Sequence, residues 1–215
     1  MISILPTAFI FIAAALVLGL LPRGHVRGVI LLITPILAAW QIWNLPVGIF
    51  VQVEFVGQTL DMMRVDKLSR IFGLIFCLAA FLGNLYAWHV RDFIQQIAAL
   101  LYAGAAIGAV FAGDLITLFF YWEGTALASV FLIWARRTEG SYHTGMRYLL
   151  IQITSGVILL AGTALLYRET GSITFELMTL GSLGTWLIFL SFGMKCAFPL
   201  LHNWLQDSYP AATIT

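Results

Sequence analysis

Apolar residues run along this chain in stretches of about twenty, separated by short polar clusters. A bilayer core takes about 20 apolar residues in a helix, because no water is there to satisfy an irregular backbone. On that rule the spans cover 2–21, 28–48, 68–88, 93–111, 115–135, 146–167 and 184–205. The pattern predicts an all-α, polytopic membrane helical bundle of about seven transmembrane helices. Most loops are too short to fold separately, so the expectation is a single transmembrane domain over 1–215. The first run lacks the basic n-region of a signal peptide and is read as a helix.

Two connections break the rhythm. Residues 49–67 alternate partly between apolar and polar on either side of Gly57, which predicts a small extramembrane hairpin. The segment 168–183 has scattered apolar residues and several glycines and is expected to lie along the membrane interface.

Composition sharpens the class. The 215 residues are 61% hydrophobic and 10% charged, with a mean hydropathy of +0.96, against roughly 25% charged for an average soluble domain. A net charge of +1 leaves no basic field for nucleic acid. Cys77 and Cys196 sit in apolar runs and fit no metal or disulfide spacing, and no cofactor or metal motif is present. The loops after the first, third and fifth spans carry Arg23, Arg27, Arg91, Arg136, Arg137 and Arg147; the alternate loops carry Arg64, Lys67, Arg70 and Arg168. This bias predicts a multi-pass protein of the cytoplasmic (inner) membrane with its N-terminus and the hairpin outside the cytoplasm.

Two charges fall inside spans. Glu123 lies within the fifth and Lys195 near the middle of the seventh. A charge at the bilayer centre costs roughly 2.5 to 3.5 kcal/mol on insertion scales, so such residues mark a partner or a wet cavity. The helical neighbours of Glu123 are Ile116, Phe119, Phe120, Ala126, Leu127 and Val130, so its partner must come from another helix. Lys195 shares a stripe with Ser191 and His202. Pro199, four residues on, lacks the N–H that would bond the Lys195 carbonyl, so the seventh helix is expected to break near Pro199. Tyr148, Gln152 and Ser155 form a polar stripe on the sixth span, readable as a hydrated path or as interhelical hydrogen bonding. For Glu123 and Lys195 the alternatives are a structural ion pair or a switch. Burial and pairing push proton affinity in opposite directions, so a nearby charge that comes and goes can make an amine hold or release its proton. His202 reads either as an interfacial histidine or as a relay.

Several strings then resemble a known family: Asp114-Leu115 with Tyr121-Trp122-Glu123-Gly124, Gly145-Met146-Arg147-Tyr148-Leu149-Leu150, Thr170-Gly171-Ser172-Ile173, and Gly193-Met194-Lys195-Cys196-Ala197-Phe198-Pro199-Leu200-Leu201-His202-Asn203-Trp204-Leu205-Gln206-Asp207. They are similar to the antiporter-like subunits of respiratory complex I and of Mrp-type Na⁺/H⁺ antiporters, from about Val65 onward. The family often has Pro at the place of Gln206, and its proline before the histidine often falls one residue later than Pro199. The resemblance implies proton translocation, with Glu123 and Lys195 as a charge pair in a half-channel and His202 as the motif histidine. It also implies a second helical bundle, supplied by another membrane subunit or by a longer form of the chain, and leaves Na⁺ exchange open. Any redox chemistry would belong to partners, so the chain is not expected to be an enzyme alone. Two rivals remain: a scaffold subunit with a cementing ion pair, and a membrane hydrolase or transferase, which no Gly-x-Ser-x-Gly or His-Glu-x-x-His motif supports.

Overall fold

A computed structural model describes residues 5–22 and 24–213; Ile2 to Ile4 of the first predicted span, Arg23 and the last two residues lie outside the described residues. The chain divides into two compact units, one ending at Gly113 and the other running from Asp114 to Thr213.

In the first unit, α1 (Ala8–Leu20), α2 (His25–Asn44), α3 (Lys67–Tyr86) and α4 (Phe93–Phe111) surround a core of Phe11, Leu18, Ile42, Leu100, Ile107 and Phe111. Between α2 and α3 comes the expected hairpin, β1 (Gly48–Phe55) paired antiparallel with β2 (Gln58–Val65). Its turn needs positive φ at both Val56 (49°) and Gly57 (75°), the geometry that matches the twist of two-residue hairpins. β2 tucks Leu60, Met63 and Val65 inward, and the Asp61 carbonyl accepts the Gly113 N–H at 2.9 Å. The N-terminus of α3 carries a capping box in which Asp66 accepts from the Ser69 amide at 2.7 Å and Ser69 Oγ accepts from the Asp66 amide. That amide holds the Asp66 carboxyl below the ordinary carboxylate range.

The second unit contains α5 (Leu115–Trp134), α6 (Glu139–Thr170), α7 (Leu183–Lys195) and α8 (Asn203–Ala211). Asp114 is fully buried and caps α5, accepting from the Thr117 amide and hydroxyl at 2.7 Å each. A single bridge from Asp114 to Thr174 brings the α6–α7 connection back to this cap. α6 starts earlier than hydropathy indicates because Thr138 and Ser141 form a capping box ahead of its polar first turns. At 32 residues it is about 48 Å long, so it outruns a hydrocarbon core of about 30 Å. α2, α3, α4, α5 and α6 are long and apolar enough to cross a membrane, and α1 and α7 are apolar helices of 13 residues each.

α7 ends well short of the predicted 205 because the chain leaves the helix at Cys196. Ala197 takes the left-handed conformation (φ 54°), the Phe198 amide donates to the Gly193 carbonyl at 2.9 Å, and the Ala197 amide to that of Met194 at 3.3 Å. This is a Schellman termination with the Phe198 ring laid over Gly193, and Pro199 follows where helix could not continue. The predicted break near Pro199 is therefore present, with an earlier start than the proline alone dictates.

α6 and α7 meet backbone to backbone at two glycines. A Cβ on Gly162 would stand 2.9 Å from the Gly184 carbonyl and from the Ile188 amide. Close approach through small residues is how helices associate in lipid, where no hydrophobic force drives them together. Gly162→Val should push α6 and α7 apart and lower stability by about 1–3 kcal/mol, read as earlier thermal unfolding of the detergent-solubilised protein; unfolding at the wild-type temperature would contradict this contact.

Candidate functional site

The site residues expected from the sequence all fall in the second unit, on α5, α6, α7 and the α7–α8 connection. Lys195 is the last residue of α7, so the break places its amine at a helix C-terminus, where a cation is favoured. The side chain is half-buried and reaches α5. Its Nζ donates to the main-chain carbonyl of Trp122 at 3.3 Å and stands 5.2 Å from the centre of the Trp122 ring.

Glu123, the next residue on α5, is also half-buried. It and Lys195 lie within electrostatic reach of each other, but among the described residues no ion pair within 4 Å joins them. The Glu123 carboxylate lies instead in the notch left by Gly156 on α6: a Cβ on that glycine would fall 2.0 Å from Oε1 and 3.3 Å from the Phe119 ring. Oε1 is buried and has no hydrogen-bond partner among the described residues. Nothing in the sequence marks Gly156, since the absence of a side chain gives no hydropathy signal.

The polar stripe of α6 serves several contacts. Ser155 and Ser191 exchange hydrogen bonds with each other's carbonyls, Ser155 Oγ to Ser191 at 3.2 Å and Ser191 Oγ to Ser155 at 2.8 Å, which ties α6 to α7. Tyr148 shares a 2.7 Å hydroxyl contact with Ser129 of α5, and its ring packs against Trp204 of α8. Gln152 lies between Tyr148 and Ser155 in sequence and is 2% exposed. This geometry matches interhelical hydrogen bonding, the bland reading of the stripe, and leaves a hydrated path as an additional role. His202 is half-buried and precedes α8 as its N-cap residue, without a side-chain capping bond. Pro199 lies exposed in the break. The Trp204 indole closes the broken end by donating to the Met194 carbonyl at 3.0 Å. On the polar face, Arg147 of α6 pairs with Asp207 of α8 at 2.7 Å. Among the described residues, no group of three metal-ligating side chains converges.

The family model described as NADH:quinone oxidoreductase/Mrp antiporter, TM, matches residues 112–215. Residues 112–215 belong to that family. Its sequence relatives include NADH-quinone oxidoreductase subunit N of Deinococcus radiodurans, 30% identical over 168 residues, which cover 70% of this chain and 34% of the relative. An Na(+)/H(+) antiporter subunit from Alkalihalophilus pseudofirmus is 31% identical over 170 residues, covering 69% and 21%. The chain thus spans a fifth to a third of the length of these two curated relatives. Its fold is similar to that of part of one chain in the Mrp complex from Dietzia sp. DQ12-45-1b, with a TM-score of 0.81 and 24% identity over 96% of this chain and 25% of that one. The resemblance read from the motifs is thereby borne out, as is a helical, polytopic membrane architecture.

The notch at Gly156 gives a direct test of the site. Because the atoms a Cβ at this position would meet first are the end of the Glu123 side chain, which can rotate away, Gly156→Ala should expel the carboxylate from the notch. Glu123 should then react faster with a carbodiimide, followed by mass spectrometry; an unchanged rate would place the carboxylate elsewhere.

Proposed function

We propose that this chain is an ion-translocating subunit of a multisubunit membrane complex, in which Glu123 and Lys195 form a switchable pair in a proton half-channel. The observation that carries this reading is a lysine at the end of broken α7 whose amine reaches the α5 main chain next to a glutamate with a buried Oε1, with no contact ion pair between the two among the described residues. A pair built only to cement two helices is expected to touch, because a buried ion without its partner is costly. An open arrangement suits a charge that changes partner.

In this reading Lys195 carries the proton and Glu123 sets how tightly it is held. His202 passes the proton on beyond the break, and Tyr148, Gln152, Ser155 and Ser191 support the polar route. The transported ion is H⁺, with Na⁺ exchange as a variant. The protein sits in the cytoplasmic membrane of a cell with its N-terminus outside the cytoplasm, and other membrane subunits complete the path, including a second helical bundle. Residues 1–215 act together as the first bundle of such an assembly.

The test is proton flux in vesicles holding the whole complex. With assembly intact, Lys195→Ala and Glu123→Ala should each reduce flux by about a hundredfold or more, the usual contribution of a positioned proton-transfer group. Flux that survives both, with the double change Glu123→Leu and Lys195→Met neutral or stabilising, would establish the scaffold role instead.

A further inference from the structure

We propose, resting on the translocation reading, that Trp122 is a positioning residue whose ring face and main-chain carbonyl form a seat that holds the Lys195 ammonium away from Glu123.

Three contacts meet at this residue. The Lys195 amine donates to the Trp122 carbonyl at 3.3 Å and lies 5.2 Å from the ring centre, within the range of a cation–π contact. Phe192, one turn earlier on α7, packs on the same ring at 4.8 Å between centroids, so one face of α7 is indexed on Trp122 through two side chains. The carbonyl itself is shared: the Thr125 hydroxyl donates to it at 2.6 Å, and it accepts the amine as well.

Nearby alternatives at the helix end are already engaged. The Phe192 carbonyl accepts from the Cys196 amide, that of Gly193 from the Phe198 amide, and that of Met194 from the Ala197 amide and the Trp204 indole. The Trp122 carbonyl has a donor of its own as well, so what distinguishes this seat from the end of α7 is the indole face beside that carbonyl. Among the described residues, Glu123 is the charged group that acts on it. Facing α7 from α6 is the Ser155 hydroxyl, and from α8 the Trp204 indole; neither carries charge.

Successive residues of an α-helix point about 100° apart, so Trp122 and Glu123 present two seats for one cation on adjoining faces of α5. A lysine stem of four methylenes can swing between them without moving the backbone. Indole is the strongest of the aromatic partners for a cation, and the contact strengthens when water is scarce. The seat therefore keeps the ammonium stable while it is unpaired, which a switch requires if Glu123 is to be free to take or lose a charge.

The experiment uses the assembled complex in vesicles, with flux measured by a pH-sensitive dye across a range of pH. Trp122→Leu should move the alkaline limb of the flux profile to lower pH by about 0.5–1.5 units, and Trp122→Phe should restore part of that shift. Lys195→Ala is run beside them. A wild-type profile in Trp122→Leu, while Lys195→Ala abolishes flux, overturns the seat and spares the translocation reading. Flux untouched by Lys195→Ala overturns both. If Trp122→Leu does not assemble, fluorinated tryptophans placed at position 122 keep the shape and weaken the ring face: a shift that grows with fluorine number supports the seat, and a constant profile overturns it.

Discussion

A chain that leaves its helix must find partners for the carbonyls it frees, and the end of α7 depends on how that is done. The Schellman turn at Ala197 takes the carbonyls of Gly193 and Met194 back into the backbone, and the Trp204 indole adds a side-chain donor to the second. Ala197 adopts a left-handed conformation that glycine would take at less cost, so the surrounding contacts must hold it there. In return the helix stops at Lys195, and the amine emerges at the negative end of α7 with α5 as its nearest source of acceptors.

The same end is braced from α6. Gly162 and Gly184 allow near contact of the two backbones, and the reciprocal Ser155–Ser191 bonds fix their relative height. Tyr148 links α6 to α5 through Ser129, while its ring supports Trp204, which in turn closes α7. These polar contacts cost little to hold in lipid because each finds a partner within the unit. The two groups left with an incomplete set here are different in kind: the Glu123 Oε1 and the Tyr121 hydroxyl are buried without hydrogen-bond partners among the described residues. An unsatisfied carboxylate oxygen in a buried notch is expensive as architecture.

Hydropathy and charge exposed most of this arrangement in advance. Runs of about twenty apolar residues located α2 to α5 to within a few positions, alternation around Gly57 located the hairpin, and a proline after a lysine located the break. Intramembrane charge alone picked out Glu123 and Lys195. What stayed hidden has a common cause. Gly156, Gly162 and Gly184 act through side chains they do not have, and Trp122 looks like one more apolar aromatic until the fold lays an amine on it. The early start of α6 at Glu139 was masked because its first turns are polar and are secured by a capping box, which hydropathy does not measure.

The choice between cement and switch turns on where the energy of the pair resides. In a cementing pair the Coulomb gain at contact offsets the desolvation of both ions, and separation forfeits it. Here the desolvation of Lys195 is offset in part by the Trp122 carbonyl, the indole face and the helix end, none of which needs Glu123. Glu123 in turn rests against Gly156, which gives it room and no bond. The Trp122 contacts thus give the cation support that does not depend on its anion, and among the described residues no contact ion pair joins the two. An interaction short of contact can be strengthened or removed by a modest movement of either side chain, and a membrane potential worth about 2.3 kcal/mol per charge per 100 mV is large enough to bias it. A contact ion pair of the same two residues would have to be broken first, and leaving a buried charge without its partner costs about 3–5 kcal/mol.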